Sequence, residues 1–340
     1  MKALLLALLA IALAASVQAR ALAQTPSIGS APPSLTLTCK TTVAPVAGTF
    51  VDKGVNRGVA PPGFVSLGPD VPVEHGVDVS KWQQDVDPFV VKQCGGAFAY
   101  IRISAGRLGF NEVSYPSTWG QARAANLLVG GYHYLTFLPD SIEHHTLKAD
   151  VSPQQITAEF EKLGHQQADL FLQRYRALRD DDLKRNPRAQ FLPPMVDIND
   201  RKPLPVPFGE PKKEWVFATV CAFIDDVERE PWLHGQRLIL FTDPGTFEER
   251  DFADAPCLKG GQRIVWVQYP SPGAGGLPET ADDPSFEAVR ELCNPADESR
   301  RCLFHQYTNR GGIPMGSLSE GLDLSRYLGS KSLHDLAVGG

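Results

Sequence analysis

The sequence is poor in the patterns that hold a metal, a phosphate or a nucleotide. None of its cysteines stands in a C-x-x-C pair or in the Cys/His spacing of a zinc site. It has no G-x-S-x-G elbow, no P-loop and no G-x-G-x-x-G after an apolar run. Positive charge is in deficit, with 33 Lys and Arg against 39 Asp and Glu and a net charge of −6. That balance argues against a nucleic-acid partner and against an electrostatic membrane binder, both of which need a basic face. Beyond the N-terminus no segment is apolar enough to cross a bilayer, which takes about 20 residues. The expectation is a chain with no metal, no cofactor and no integral membrane segment once its leader is removed. With 43% hydrophobic and 21% charged residues, it is also not a mainly disordered chain.

The N-terminus carries the first positive signal. Lys2 precedes an unbroken apolar run from Ala3 to Ala15, the size of a signal-peptide core. Small-x-small sites follow at Val17-Gln18-Ala19 and Ala21-Leu22-Ala23. The reading is a signal peptide over 1–23, a Pro/Thr/Ser-rich linker and arm over 24–73, a barrel domain over 74–330 and a tail over 331–340. The protein is expected to be secreted or periplasmic. All six cysteines lie after the leader. An even count in an exported chain suits disulfides. Cys293 and Cys302 bracket a polar loop and are expected to pair. Cys221 with Cys257 would tie neighbouring helical elements, and Cys39 with Cys94 would pin the arm.

From residue 75 short apolar runs alternate with amphipathic stretches. The runs are 75–80, 98–104, 127–135, 194–198, 237–242, 263–269, 302–308 and 321–327. Runs such as FAYIRI and LILF are apolar on both faces, as buried parallel strands are. Helical spacing marks 118–125, 153–183 and 214–228, and little room for helices remains afterwards. The expected fold is α/β: a TIM-like (β/α) barrel with its helices depleted in the second half.

Catalytic groups of such barrels stand at the C-terminal ends of the strands. Asp78 alternates with Val77 and Val79, so it faces inward if they face the helices. Asp197 and Asn199 share a face, while Val196 and Ile198 pack outward. A strand running into an Asp/Asn turn accounts equally well for Asn199 and Asp200, and a helix cap accounts for Ser80. Tyr132 and Tyr134 share a face around His133, and Asp323 repeats the acid-between-apolars pattern. Several inward acids with aromatics at one mouth suggest glycoside hydrolysis, in which carboxyl groups flank the scissile bond.

GVDVSKWQ at 76–83, FAYIRISAG at 98–106, VGGYHY at 129–134, Asp197–Asn199, VWVQY at 265–269, HQYTNRGGIPMG at 305–316 and GLDLSRY at 321–327 occur in an order that resembles glycoside hydrolase family 25. These are the Chalaropsis-type lysozymes, or muramidases. The resemblance implies a modified TIM-like barrel and cleavage of the β-1,4 bond between N-acetylmuramic acid and N-acetylglucosamine in peptidoglycan. It assigns Asp78, Asp197 and Asp323 to the catalytic acids and Tyr132, Tyr134, Trp266 and Gln306 to sugar contacts. It also marks two departures. Asn199 stands where the family's D-x-E glutamate, its proton donor, would be, and Ala105 replaces the acid of a T-E-G element. An amide cannot protonate a leaving oxygen. Three readings follow: a muramidase with a displaced acid (Asp200, expected to face away, or Asp243), a non-catalytic glycan binder, or a hydrolase of another N-acetylated glycan.

Overall fold

Alternation of apolar residues along each run lets one face pack on helices while the other fills a ring. The computed structural model describes residues 49–52, 55–59, 74–83, 86–93, 95–108, 114–147, 151–258, 263–267, 302–308, 322–327 and 332–339. In chain order these form β1 Thr49–Asp52, β2 Val55–Val59, β3 His75–Val79, α1 Pro88–Gln93, β4 Gly96–Ala105, α2 Tyr115–Ala124, β5 Leu128–Tyr134, α3 Asp140–Glu143 and α4 Pro153–Arg185. There follow β6 Gln190–Phe191, β7 Met195–Asp197, α5 Lys213–Glu228, β8 Ile239–Thr242, α6 Pro244–Glu249, β9 Arg263–Val267, β10 Cys302–Thr308, β11 Asp323–Tyr327, α7 Leu333–Leu336 and β12 Val338–Gly339. All eight expected runs are strands.

The strands pair in the order β5-β4-β3-β11-β10-β9-β8-β7, and β7 pairs back onto β5, so the sheet curls into a ring. Each neighbour pair in the ring is parallel except those made by β11, which runs antiparallel to both β10 and β3. The expected (β/α) barrel would have parallel neighbours throughout. A parallel neighbour needs a crossover connection, normally a helix, whereas an antiparallel one does not. The reversal puts the first residue of β11, not its last, at the end of the ring where the parallel strands finish. β1 and β2 form a separate antiparallel pair.

The two faces carry two cores. Val77, Val79, Ala99, Ile101, Ile103, Val129 and Val196 pack outward against α2, α4 and α5. Inside the ring, Phe98, Tyr100, Phe304 and Tyr327 pack edge-on or tilted with centroids 5.1–6.3 Å apart. Gly130 makes room for them, because a Cβ there would lie 2.4 Å from the Tyr100 ring. Leu333 and Leu336 of α7 join this inner cluster, so the last described residues are part of the core.

α4 is the longest helix, and Ser152 and Gln155 start it with a reciprocal capping box. It packs on α5 through Gly164, where a Cβ would lie 2.4 Å from the Thr219 carbonyl oxygen. A disulfide joins Cys221 of α5 to Cys257, as expected, with Cα atoms 5.3 Å apart. Closing a loop of that size stabilises by on the order of 3 kcal/mol. The expected pairs Cys39–Cys94 and Cys293–Cys302 lie outside the described residues.

Candidate active site

The inward phase of the strands brings acids to one mouth. Asp78 on β3 and Asp323 on β11 are direct cross-strand partners in an antiparallel pair, so both side chains point to the same side. Gln306 on β10 donates its amide N–H to Asp78 Oδ2 at 2.8 Å, and the Ser325 hydroxyl of β11 donates to the same oxygen at 2.5 Å. Across the ring, Asp197 ends β7 opposite Tyr134. Tyr132 lies between the two groups, and Asp78, Asp197 and Asp323 each act on its hydroxyl electrostatically. Of the sequence-derived site residues, the structure therefore brings together Asp78, Asp197, Asp323, Tyr132, Tyr134 and Gln306. Trp266 is placed only by its backbone, which pairs with Thr242 and His305; its side chain lies outside the described residues.

Burial raises the pKa of all three carboxyls, but their surroundings separate them. Asp78 is raised to about 6, with the Ser325 and Gln306 hydrogen bonds opposing burial. Asp197 is raised to about 7; the Asn199 backbone N–H and Arg102 oppose burial, while Asp243 and Asp200 add to it. Asp323 is raised to about 8, because its two acidic neighbours, Asp78 and Asp197, reinforce burial. At neutral pH the mouth therefore holds both ionised and protonated carboxyls. That pairing is the requirement for general acid-base work on an acetal.

The sequence reading passed over Arg102 and took Asp200 to face away, and both belong here. Arg102 on β4 has the same inward phase as Phe98 and Tyr100. Its guanidinium lies 6.0 Å from the Tyr134 ring centroid, and it is the cation that acts on Asp197. Asp200 was expected to face away on a continuing strand. The strand instead stops at Asp197, whose Oδ1 accepts the Asn199 N–H at 3.0 Å. The chain then turns, and the buried Asp200 carboxylate accepts from the Phe137 N–H, the Lys202 N–H and the Tyr134 hydroxyl at 3.3–3.5 Å. Asp200 thus supports Tyr134 from behind.

The chain is similar to known proteins over part of its length. Residues 77–149, which carry Asp78, Tyr132 and Tyr134, match the family model described as glycosyl hydrolases family 25. Over those residues the chain is similar to that family. Lysozyme M1 of Streptomyces globisporus is 31% identical over 88 residues, which span 26% of this chain and 29% of that relative. Among solved structures, the lysozyme from Streptomyces coelicolor aligns with a TM-score of 0.47 at 17% identity, covering 78% of this chain and 98% of the other. A family 25 glycosyl hydrolase from Bacillus anthracis aligns with a TM-score of 0.47 at 21% identity, covering 75% and 89%.

In the structure, both departures from the resemblance have a setting. Ala105 pairs with Tyr134 at the end of β4, so it holds an inward position with a methyl group. A register shift between Arg102 and Ser104 produces that phase. It also turns Ser104 away from the mouth, where its hydroxyl meets His133 Nδ1 at 2.8 Å. Asn199 is used in the framework. Its Oδ1 accepts the Asp243 N–H at 3.1 Å and the Thr242 hydroxyl at 3.3 Å, tying the end of β7 to the end of β8. Asp243, the other candidate for a displaced acid, is held by Arg201 at 2.6 Å and by the Thr246 N–H and hydroxyl at 2.9 and 2.8 Å. His133 is buried neutral: burial lowers its pKa to about 3, although the hydrogen bond that its Nε2–H donates to Gln167 Oε1 opposes that. Among the described residues, Asp140, Glu143 and His144 bring ligand atoms within 4.8 Å of one another. Arg107 already contacts both carboxylates at 2.6 Å, so the group reads as an exposed ion-pair cluster.

Proposed function

We propose that this chain is a lysozyme-like glycoside hydrolase of peptidoglycan, cutting the β-1,4 bond between N-acetylmuramic acid and N-acetylglucosamine. The observation that carries the reading is the set Asp78, Asp197 and Asp323, gathered around Tyr132 at one mouth with different proton affinities. In this reading Asp78, Asp197 and Asp323 act on the scissile bond. Tyr132, Tyr134, Trp266 and Gln306 line the path of the sugars, and Asn199 marks the place vacated by the family's glutamate. The protein acts outside the cytoplasm after removal of residues 1–23, with 24–73 as a linker and arm ahead of the barrel.

A second reading has its own support. Asn199 has no proton to give, and its oxygen is already engaged by β8. A site without a donor would hold glycan and not cut it. Incubating the purified protein with insoluble peptidoglycan and measuring new reducing ends separates the two. The hydrolase reading expects reducing ends at N-acetylmuramic acid that vanish in Asp197→Asn. Co-sedimentation with peptidoglycan without any reducing ends establishes the binder instead.

A further inference from the structure

Three carboxyls at the mouth, and two more close behind them, compete for the task of protonating a leaving oxygen. A donor must carry a proton in the resting site, reach the cleft, and be free of groups that hold it as an anion. Asp78 fails the last condition, because two donors converge on its Oδ2. Asp197 accepts a backbone N–H and faces Arg102. Asp200 accepts from two backbone N–H groups and a tyrosine hydroxyl. Asp243 is ion-paired with Arg201. Asp323 differs from all four. It is half-buried at the first position of β11. Among the described residues no hydrogen-bond donor or cation meets its carboxyl, and the charged groups acting on it are Asp78 and Asp197. Two cross-strand carboxyls on one face cannot both ionise cheaply. Since Asp78 has the two donors, the shared proton belongs on Asp323.

We propose that Asp323 is the proton donor of this site, performing the step that the amide of Asn199 cannot, with Asp78 as the anionic neighbour that keeps the proton on it. The proposal rests on the hydrolase reading above. The proton passes from the Asp323 carboxyl to the glycosidic oxygen. The C1–O bond breaks and its electron pair goes to that oxygen, leaving an oxocarbenium-like C1 beside the Asp197 carboxylate. Water then adds to C1 and returns its proton to the Asp323 carboxylate, so the residue ends as it began. The reversal of β11 makes this possible, because it sets Asp323 directly opposite Asp78 at the mouth.

The test uses the full chain with two substrates: peptidoglycan, and a 4-nitrophenyl β-glycoside of an N-acetylated oligosaccharide, whose leaving group departs without a proton. Asp323→Asn should lose about 10²- to 10⁴-fold on peptidoglycan and less than about 10-fold on the nitrophenyl substrate. In the unmodified protein, kcat/KM on peptidoglycan should fall as pH rises through about 8, the value to which Asp323 is raised. The nitrophenyl substrate should lack that fall, a contrast that needs no variant to fold. Equal losses of Asp323→Asn on both substrates, or activity on peptidoglycan undiminished to pH 10, overturns the assignment. If the unmodified protein leaves peptidoglycan intact, the hydrolase reading fails and the donor assignment with it. If it cuts and Asp323→Asn cuts equally well, the donor assignment alone fails.

Discussion

Ser325 and Asn199 each hold one end of the site by a single hydrogen-bonding group, and each gives a measurable consequence. Ser325→Ala removes a donor that lowers the Asp78 pKa, so Asp78 should titrate above its value of about 6. A shift of one unit corresponds to about 1.4 kcal/mol, and carboxyl NMR titration against Asp78→Asn reads it directly. Asn199→Ala leaves the Asp243 N–H without its acceptor. That should cost about 1–3 kcal/mol, seen as a lower urea midpoint with an unchanged slope. The inward acids and tyrosines were legible because strand alternation needs only a period of two. The same period would have found Arg102, which shares the phase of Phe98 and Tyr100. Asp200 could not be placed that way, since nothing in the sequence fixes where a three-residue strand stops.

At the scale of elements, the α4–α5 contact sets two local rules against each other. Alanine favours a helix over glycine by about 1 kcal/mol, so Gly164→Ala in an open helix would stabilise. Here a Cβ would meet the Thr219 carbonyl oxygen at 2.4 Å and the Ala222 Cβ at 2.8 Å, and a helix backbone cannot step aside alone. The expected outcome is a loss of about 1–3 kcal/mol, read by thermal unfolding. An unchanged or higher Tm would mean the two helices can separate without cost. Strands and helices of the first half were readable from periodicity, because each apolar face has one partner layer. The direction of β11 was not, because direction is set by the connection before it and leaves no mark in the pattern LDLSRY.

For the whole molecule, the three raised carboxyls make the fold prefer acid. In the unfolded chain each returns to its ordinary value near 3.8, so between that value and about 8 the native state binds more protons than the unfolded state. Stability is then full below about pH 4 with respect to these groups and declines as pH rises through their native values. Asp323→Asn should leave Tm little changed at pH 4 and raise it at pH 9, which differential scanning calorimetry at the two pH values will show. The hydrogen bonds that fix Asp78 span 228 and 247 positions of sequence. The carboxyl dyad is therefore assembled from the first and last strands of the ring. A growing chain that has reached residue 320 has neither Asp323 nor Ser325, and its β3 edge is still unpaired. Contacts of such separation also form slowly. Completion of the acidic mouth is accordingly a late event in the life of each molecule, arriving only when the two ends of the barrel meet.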